Sequence, residues 1–428
     1  MKTEQASPLR GRRVLVAVSG SIAAVKTPLL VSALIKAGAE VRCLVTTSGA
    51  ALVSPVALAS LSRHRCYLEA DQWNPAASRP LHIELAEWAE LTIVAPLSAS
   101  SLARWSQGSA DGLLASVLLA TEAPVIAAPA MNTAMWRHPA VQSNWLQIQS
   151  FPGVVPLLPA SGLLACDRVG DGRMADPLLI ELAAASVFSR GLGTLDVPLD
   201  WSGMSVLISA GPTQESIDPV RFLSNRSSGR MGVLLAQAAR FRGATVHLVH
   251  GPLGIPDAWL EGLQCTAVES AAELGTALQL AQPRSDVLVM AAAVADLRRD
   301  VAPPGKLTKL ELQQALTSGW TEVPDLLSNL IRQRHPGLLV LGFSALTGSD
   351  AHLLELAESK RLAKGCDLLM VNPVDRDGQG FGDQPNGGWL LGDGWRRELP
   401  VTAKLSLAHQ LLDALLKARD QAAASMES

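Results

Sequence analysis

The sequence predicts an α/β protein of two domains, each built on a mainly parallel sheet. Short aliphatic runs alternate with helical patterns along the whole chain, the pattern of parallel α/β layers. Those runs are apolar almost without interruption, as strands covered on both faces are. A stretch rich in Gly, Pro and small polar residues, Ser189–Met204, separates two such series, and that composition suits an exposed linker.

In chain order, Arg13–Ser19 reads as a buried strand, Ile22–Ala37 as a helix ended by Gly38, and Val41–Thr46 as the next strand. Leu91–Ala95, Val125–Ala128 and Val154–Leu158 continue the first series, with one helix over about residues 102–120. The second series is Val206–Ser209, Thr245–Val249, Val287–Ala291, Leu338–Phe343 and Leu368–Val371, with a helix over Met231–Arg242. The boundaries expected are a first domain over 1–190, a linker over 191–203 and a second domain over 204–428.

Composition narrows the function classes. The 428 residues carry 36 Lys+Arg against 39 Asp+Glu, a formal net charge of −3, with 48% hydrophobic and 18% charged residues. Such a composition excludes a disordered chain. Balanced charge argues against a nucleic-acid partner, since affinity for a phosphate backbone needs clustered cations. No stretch approaches the ~20 apolar residues of a spanning helix; Leu113–Ala120 is short and flanked by Asp111 and Glu122. The polar N-terminus has no signal-peptide core. Cys43, Cys66, Cys166, Cys265 and Cys366 show neither CxxC nor metal-ligand spacing, so a reducing, cytoplasmic setting is expected.

The first strand-to-helix turn, Ser19-Gly20-Ser21-Ile22-Ala23-Ala24, lacks GxGxxG, as does Gly211-Pro212-Thr213, and GxxxxGK[ST] occurs nowhere. A P-loop nucleotidase is thereby disfavoured. A small-residue turn opening a helix can still hold one phosphate through backbone N–H groups and the helix dipole; an ordinary tight turn is the other reading.

Four segments, in order, change that balance: Ser19–Ala24, His82-Ile83-Glu84-Leu85, Pro129-Ala130-Met131-Asn132, and Gly162–Cys166 followed by Gly172–Pro177. Together they resemble the flavin-dependent cysteine decarboxylases, and most closely the phosphopantothenoylcysteine decarboxylases of coenzyme A synthesis, over roughly residues 12–185. The resemblance implies a flavodoxin-like, FMN-binding domain. It implies oxidation of the substrate thiol to a thioaldehyde so that the carboxylate can leave as CO2, the flavin carrying the redox chemistry. His82 would act at the oxidative step, Asn132 would hold the substrate carboxylate, and Cys166 would protonate the product. Gly20, Ser21, Thr46, Ser98, Ala99 and Ser100 would line the FMN, and Arg173 and Met174 the substrate. Where many relatives read PATANT this chain has Pro96-Leu97-Ser98-Ala99-Ser100-Ser101, which keeps small hydroxyl residues. Trp136 and Trp145, close behind Asn132, are candidates for an interface.

In the second half, Ile217–Gly232 (IDPVRFLSNRSSGRMG), Ala291–Asp296, Lys306-Leu307-Thr308-Lys309, Pro324-Asp325-Leu326-Leu327, Gly342-Phe343 and Lys360–Lys364 resemble the phosphopantothenate–cysteine ligases, over roughly 203–418. The halves together resemble the bifunctional coenzyme A biosynthesis family, two Rossmann-like domains in one chain. A carboxylate must be activated before an amine can displace its oxygen, and in bacterial relatives CTP does this as an acyl-cytidylate. The implied partners are 4'-phosphopantothenate, cysteine and CTP as cosubstrate, with Mg2+ (or Mn2+). Lys306, Lys360 and Lys364 would meet the triphosphate, the last two from one helix face. Asp296 would serve the nucleotide and the metal, and Met290, Ala291, Ala292, Pro324, Asp325, Leu326, Leu327 and Phe343 would lie along the nucleotide. Arg221 and Asn225 would bind the acyl substrate, with Arg226 and Arg230 as natural phosphate partners. Three positions depart from the family pattern: Thr308 stands for a lysine, Val323 for an asparagine and Leu346 for a glutamate. By resemblance the protein is a homo-oligomer, trimeric through the decarboxylase half with shared flavin sites, with dimeric contacts in the ligase half. Two further readings are a flavin-binding regulatory or interaction protein and a single-activity decarboxylase with a degenerate ligase domain.

Overall fold

The computed structural model describes residues 7–75, 78–163, 169–191 and 199–427, with side chains to Gln421. The chain divides into two compact units, the second opening at Leu199. In the first, β1 (Arg13–Val18), β2 (Glu40–Val45), β3 (Cys66–Leu68), β4 (Leu91–Leu97), β5 (Val125–Pro129) and β6 (Val154–Pro156) form an all-parallel sheet in the order β3-β2-β1-β4-β5-β6. The order reverses between β1 and β4, which makes the sheet doubly wound. All seven residues of β4 are buried, as the unbroken apolar run requires. β7 (Ala160–Leu163) and β8 (Val169–Arg173) pair as a separate antiparallel hairpin.

Two helices differ from the sequence expectation. Ile22–Ala37 is a 3₁₀ turn, Ile22–Lys26, followed by an α-helix, Thr27–Lys36, with Pro28 in its first turn, where its missing N–H costs nothing. The single helix expected over 102–120 is two, Ala99–Ser106 and Leu113–Ala120. Gly108 takes a positive φ of +69° just past the first, a helix stop. The second is started by Glu69, whose Oε2 accepts the Leu113 N–H at 2.6 Å. Trp136 and Trp145 are not surface residues: both are buried in the first core, edge to face with centroids 5.4 Å apart.

The second unit contains β9 (Ser205–Ala210), β10 (Gln214–Ser216), β11 (Phe222–Ser224), β12 (Thr245–His250), β13 (Gln264–Ala267), β14 (Val287–Met290), β15 (Leu297–Arg299), β16 (Trp320–Glu322), β17 (Leu339–Leu346), β18 (Leu368–Pro373), β19 (Asn386–Gly392) and β20 (Trp395–Thr402). Eight of these form one sheet, β13-β12-β9-β14-β17-β18-β19-β20. It is parallel through β18 and antiparallel over β19 and β20. The winding again reverses beside the first strand, between β9 and β14. The helix Arg230–Phe241 packs on β9 and β12 and against the C-terminal helix Lys404–Glu427. Among the described residues no helix is long and apolar enough to cross a membrane.

Arg242 fastens this unit. It is 1% exposed, and its guanidinium bonds both oxygens of Asp200 (2.9 and 2.5 Å) and Asp413 at 2.7 Å. It thereby joins the entry segment to the C-terminal helix. Removing Asp200 would leave Arg242 with Asp413 alone. Asp200→Ala is expected to lower the stability of the second unit by about 2 kcal/mol, read as an earlier urea midpoint for that unit.

Candidate functional site

Each unit has one crevice at the reversal of its sheet, where the loops leaving neighbouring strands diverge. In the first, the fully buried Ser19 bridges the gap: its hydroxyl donates to Pro96 O at 2.7 Å and accepts the Ser98 N–H at 2.7 Å. Ser21 then opens the 3₁₀ turn and Ser98 opens the helix Ala99–Ser106, each as a side-chain cap. Asn132 caps the next short helix, its Oδ1 accepting the Ala134 N–H at 2.8 Å. β8 comes in over this loop, with Gly172 O accepting the Met131 N–H. Gly172 has φ +138°, and a Cβ there would stand 2.2 Å from Met131 O, so only glycine permits the approach.

These loops enclose a cavity of about 520 Å³ lined by Gly20, Ser21, Ser98, Ala99, Asn132, Arg173 and Met174 among the expected residues. Ile22, Val25, Met131, Met135 and Leu163 make the remaining wall largely apolar, and Lys26 joins Arg173 as a cation; among the described residues no carboxylate lines it. The volume is that of a cofactor-sized pocket. Thr46, Ser100 and His82 do not line it. Thr46 caps a helical turn through the Gly49 N–H, and Ser100 is exposed. His82 is half-buried on the helix Leu81–Trp88, with Nδ1 buried and unpartnered. Cys166 lies outside the described residues. Among the other thiols, burial pushes Cys43 up to about 12 and Cys66 and Cys366 to about 11, and raises Cys265 as well. These stay protonated and unreactive near neutrality.

In the second unit the fully buried Ser209 plays the bridging part, its hydroxyl accepting the Ala292 N–H at 3.1 Å. The loop after β14 is held further by Thr213, which accepts the Ala295 N–H at 3.0 Å. Asn225 donates from Nδ2 to Ala293 O (3.2 Å) and Val294 O (3.0 Å). A cavity of about 780 Å³ results. Asn225, Met290, Ala291, Ala292, Asp296, Pro324, Asp325, Leu326, Leu327, Phe343, Lys360 and Lys364 all line it. Lys360 and Lys364 stand one turn apart on the helix Asp350–Lys364. Lys364 lies 3.7 Å from Asp325, which caps the helix Leu326–Arg332. Burial alone would raise the Asp325 carboxyl, but hydrogen bonds from Ser328 and the Lys364 ammonium hold it below its ordinary range.

Lys306 and Arg221 are not brought into this cavity. Lys306 is exposed. Arg221 is spent on a clamp: it pairs with the buried Asp218 at 3.1 Å and donates to Leu307 O at 2.7 Å, while the Leu307 N–H returns to Asp218. Burial would raise the Asp218 carboxyl, yet the N–H groups of Val220, Leu307 and Arg221 and the guanidinium keep it lowered. The clamp holds the base of the loop that presents Lys306. Asp296 is exposed, and no cluster of three His, Cys, Asp or Glu side chains gathers among the described residues. Sequence reasoning missed Lys404, Asn372, Phe381 and Asn386, which also line the cavity. They come from late segments that carry no motif.

The Flavoprotein family model matches residues 2–181, and the DNA/pantothenate metabolism flavoprotein C-terminal domain model matches residues 201–418. The chain is similar to the coenzyme A biosynthesis bifunctional protein CoaBC of Bacillus subtilis (strain 168), 38% identical over 407 residues, 94% of this chain and 96% of that one. It is similar also to CoaBC of Escherichia coli (strain K12), 36% identical over 416 residues, 96% of this chain and 98% of that one. A solved PPC decarboxylase complexed with pantothenoylaminoethenethiol is 34% identical, covers 42% of this chain and 100% of its own, and has a TM-score of 0.38. With both halves matched in order and nearly the whole length shared, the chain belongs to the bifunctional coenzyme A biosynthesis family and is an enzyme that is a phosphopantothenoylcysteine decarboxylase in its first half and a phosphopantothenate–cysteine ligase in its second.

Proposed function

We propose that the first cavity binds FMN and the second binds CTP with a divalent cation, so that the ligase half makes 4'-phosphopantothenoylcysteine and the decarboxylase half converts it to 4'-phosphopantetheine in the cytoplasm. The observation that carries this is the contrast in lining. The first cavity joins a largely apolar wall to two cations and two serine-capped helix starts, with no carboxylate among the described residues. That set suits a flat heteroaromatic ring bearing one phosphate. FMN, when bound there, supplies the two-electron chemistry that lets the substrate carboxylate leave as CO2. Asn132 holds that carboxylate beside Arg173 and Met174, and Cys166 returns a proton to the product carbon.

The second cavity carries Arg230, Lys360, Lys364 and Lys404 against Asp296, Glu322 and Asp325. That mixture suits a triphosphate with its own cation: a nucleotide-borne Mg2+ keeps several waters and needs few protein carboxylates, so Asp296 serves without a cluster. The phosphopantothenate carboxylate attacks the α-phosphorus of CTP and pyrophosphate leaves. The amine of cysteine then attacks the acyl carbon of the cytidylate, with Asn225 at the acyl group, and CMP leaves. His82, Lys306 and Arg221 stand off their own unit's cavity. We assign His82 and Lys306 to cavities completed by a second copy, trimeric in the first half and dimeric in the second, with Arg221 holding the Lys306 loop.

The purified protein is expected to be yellow and, given phosphopantothenate, cysteine, CTP and Mg2+, to release pyrophosphate and CO2. Pyrophosphate without CO2, or neither product, overturns the proposal. Lys364→Ala uncovers the Asp325 charge, so KM for CTP should rise on the order of tenfold. Asp325→Asn in the same chain keeps a helix cap and should recover part of that loss; steady-state kinetics on wild type and the two variants decide. Mixed and co-refolded, inactive His82→Asn and Asn132→Ala chains should regain CO2 release if sites are shared between copies, and should stay inactive if each copy is self-sufficient.

A further inference from the structure

We propose that Lys404, with Arg230 beside it, is a phosphate-binding residue of the second cavity and holds a phosphate group of one of the two phosphorylated ligase substrates. This rests on the ligase reading of that cavity and adds a residue to it. Lys404 is the first residue of the C-terminal helix and is only 7% exposed, yet it lines the cavity. An ammonium has three donors. Two go to Gly380 O at 2.8 Å and Gly382 O at 2.6 Å, and the third has no partner among the described residues.

Tying two loop carbonyls does not require a lysine. The same unit performs that task with Gln237, fully buried, which donates to Trp259 O (2.6 Å) and Glu261 O (3.1 Å). A buried ammonium is the costlier choice, because its charge is desolvated unless an anion meets it. The structure supplies little counter-charge. Arg230 adds a second cation, stacked over Trp259 at 4.7 Å from the ring centroid. Asp383 pairs with Arg230 and is, among the described residues, the one carboxylate acting on Lys404, and its side chain is 86% exposed. Burial and then the Arg230 charge push the Lys404 ammonium down to about 8 against the pull of Asp383. Two cations sharing one solvated carboxylate beside a cavity form a receptor for a dianion.

The backbone agrees in polarity. Arg230 and Met231 are the first residues of a 12-residue helix whose N-cap, Gly229, has no side chain to satisfy their N–H groups, and both line the cavity with Ser227 and Ser228. An anion placed there gains the helix start as well as the two cations. The phosphate can come from the nucleoside triphosphate or from the phosphomonoester of the acyl substrate; the chemistry is shared and the experiment separates them.

Lys404→Gln in the full chain keeps donors for the two carbonyls and removes the charge. CTP and 4'-phosphopantothenate are titrated separately into wild type and variant by calorimetry, and KM for each is taken from pyrophosphate release. One substrate should bind at least about tenfold more weakly, which identifies the source of the phosphate, with kcat within about threefold. Lys404→Arg, which restores the charge, should recover most of the loss; an Arg variant as weak as the Gln variant marks a mere loop tether and overturns the proposal. So does a Gln variant with both affinities within about twofold of wild type and a melting midpoint within about 3 °C. A wild-type protein that binds neither substrate overturns the ligase reading itself, and Lys404 with it.

Discussion

Both crevices depend on one constraint, the satisfaction of backbone groups where two parallel strands part company. At the reversal of a doubly wound sheet the chains leave neighbouring strands in opposite directions, and their last N–H and C=O groups lose the ladder. A buried serine makes good the loss in each unit, Ser19 between Pro96 and Ser98 and Ser209 at Ala292. An alanine at position 19 would leave the buried Ser98 N–H without its partner, at a cost of about 1–3 kcal/mol, while Pro96 O would keep the Ser19 N–H. The positions of Ser21, Ser98 and the 291–296 loop follow from these bonds, and with them the walls of both cavities.

The two walls then diverge in electrostatics. Among the described residues the first is apolar with a small cationic excess and no carboxylate, and the second interleaves four cations with three carboxylates. A net charge of −3 hides both arrangements, because small phosphates need a few convergent donors rather than a basic face. Asp325 shows how finely the second wall is balanced. It caps a helix, draws Lys364 toward the cavity and partly neutralises it, so cation count alone overstates the attraction for a triphosphate.

What could be read from sequence follows burial. Strands β1, β4, β5, β9, β14 and β18 are covered on both faces and stand out as apolar runs. β13 and β20 are largely exposed and offered no such run. Between the two helices Gly108, Ser109, Asp111 and Gly112 form a loop signal that the expectation of one helix over about 102–120 passed over in favour of the apolar residues on either side. Among site residues, those on loops directly after strands fell where the topology puts ligands. Lys404 was illegible because its meaning comes from β19, the 380–382 loop and the start of another helix meeting in space. His82, Lys306 and Arg221 were singled out by their motifs, and the single chain does not fold them into its own cavities.

The departures from the family pattern separate on the same physical grounds. Thr308 replaces a lysine but caps the helix Lys309–Thr317 in a reciprocal box with Glu311, a local gain of about 1 kcal/mol that a lysine cannot supply. Leu346 replaces a glutamate and is 7% exposed among Leu353, Leu369 and Trp389, where a carboxylate would be buried without a partner. Val323 alone changes the cavity wall, and even there its N–H holds Asp296 O at 2.9 Å. Of the three positions only Val323 lies on the wall of its own chain's cavity, where Lys360, Lys364 and Arg230 also stand.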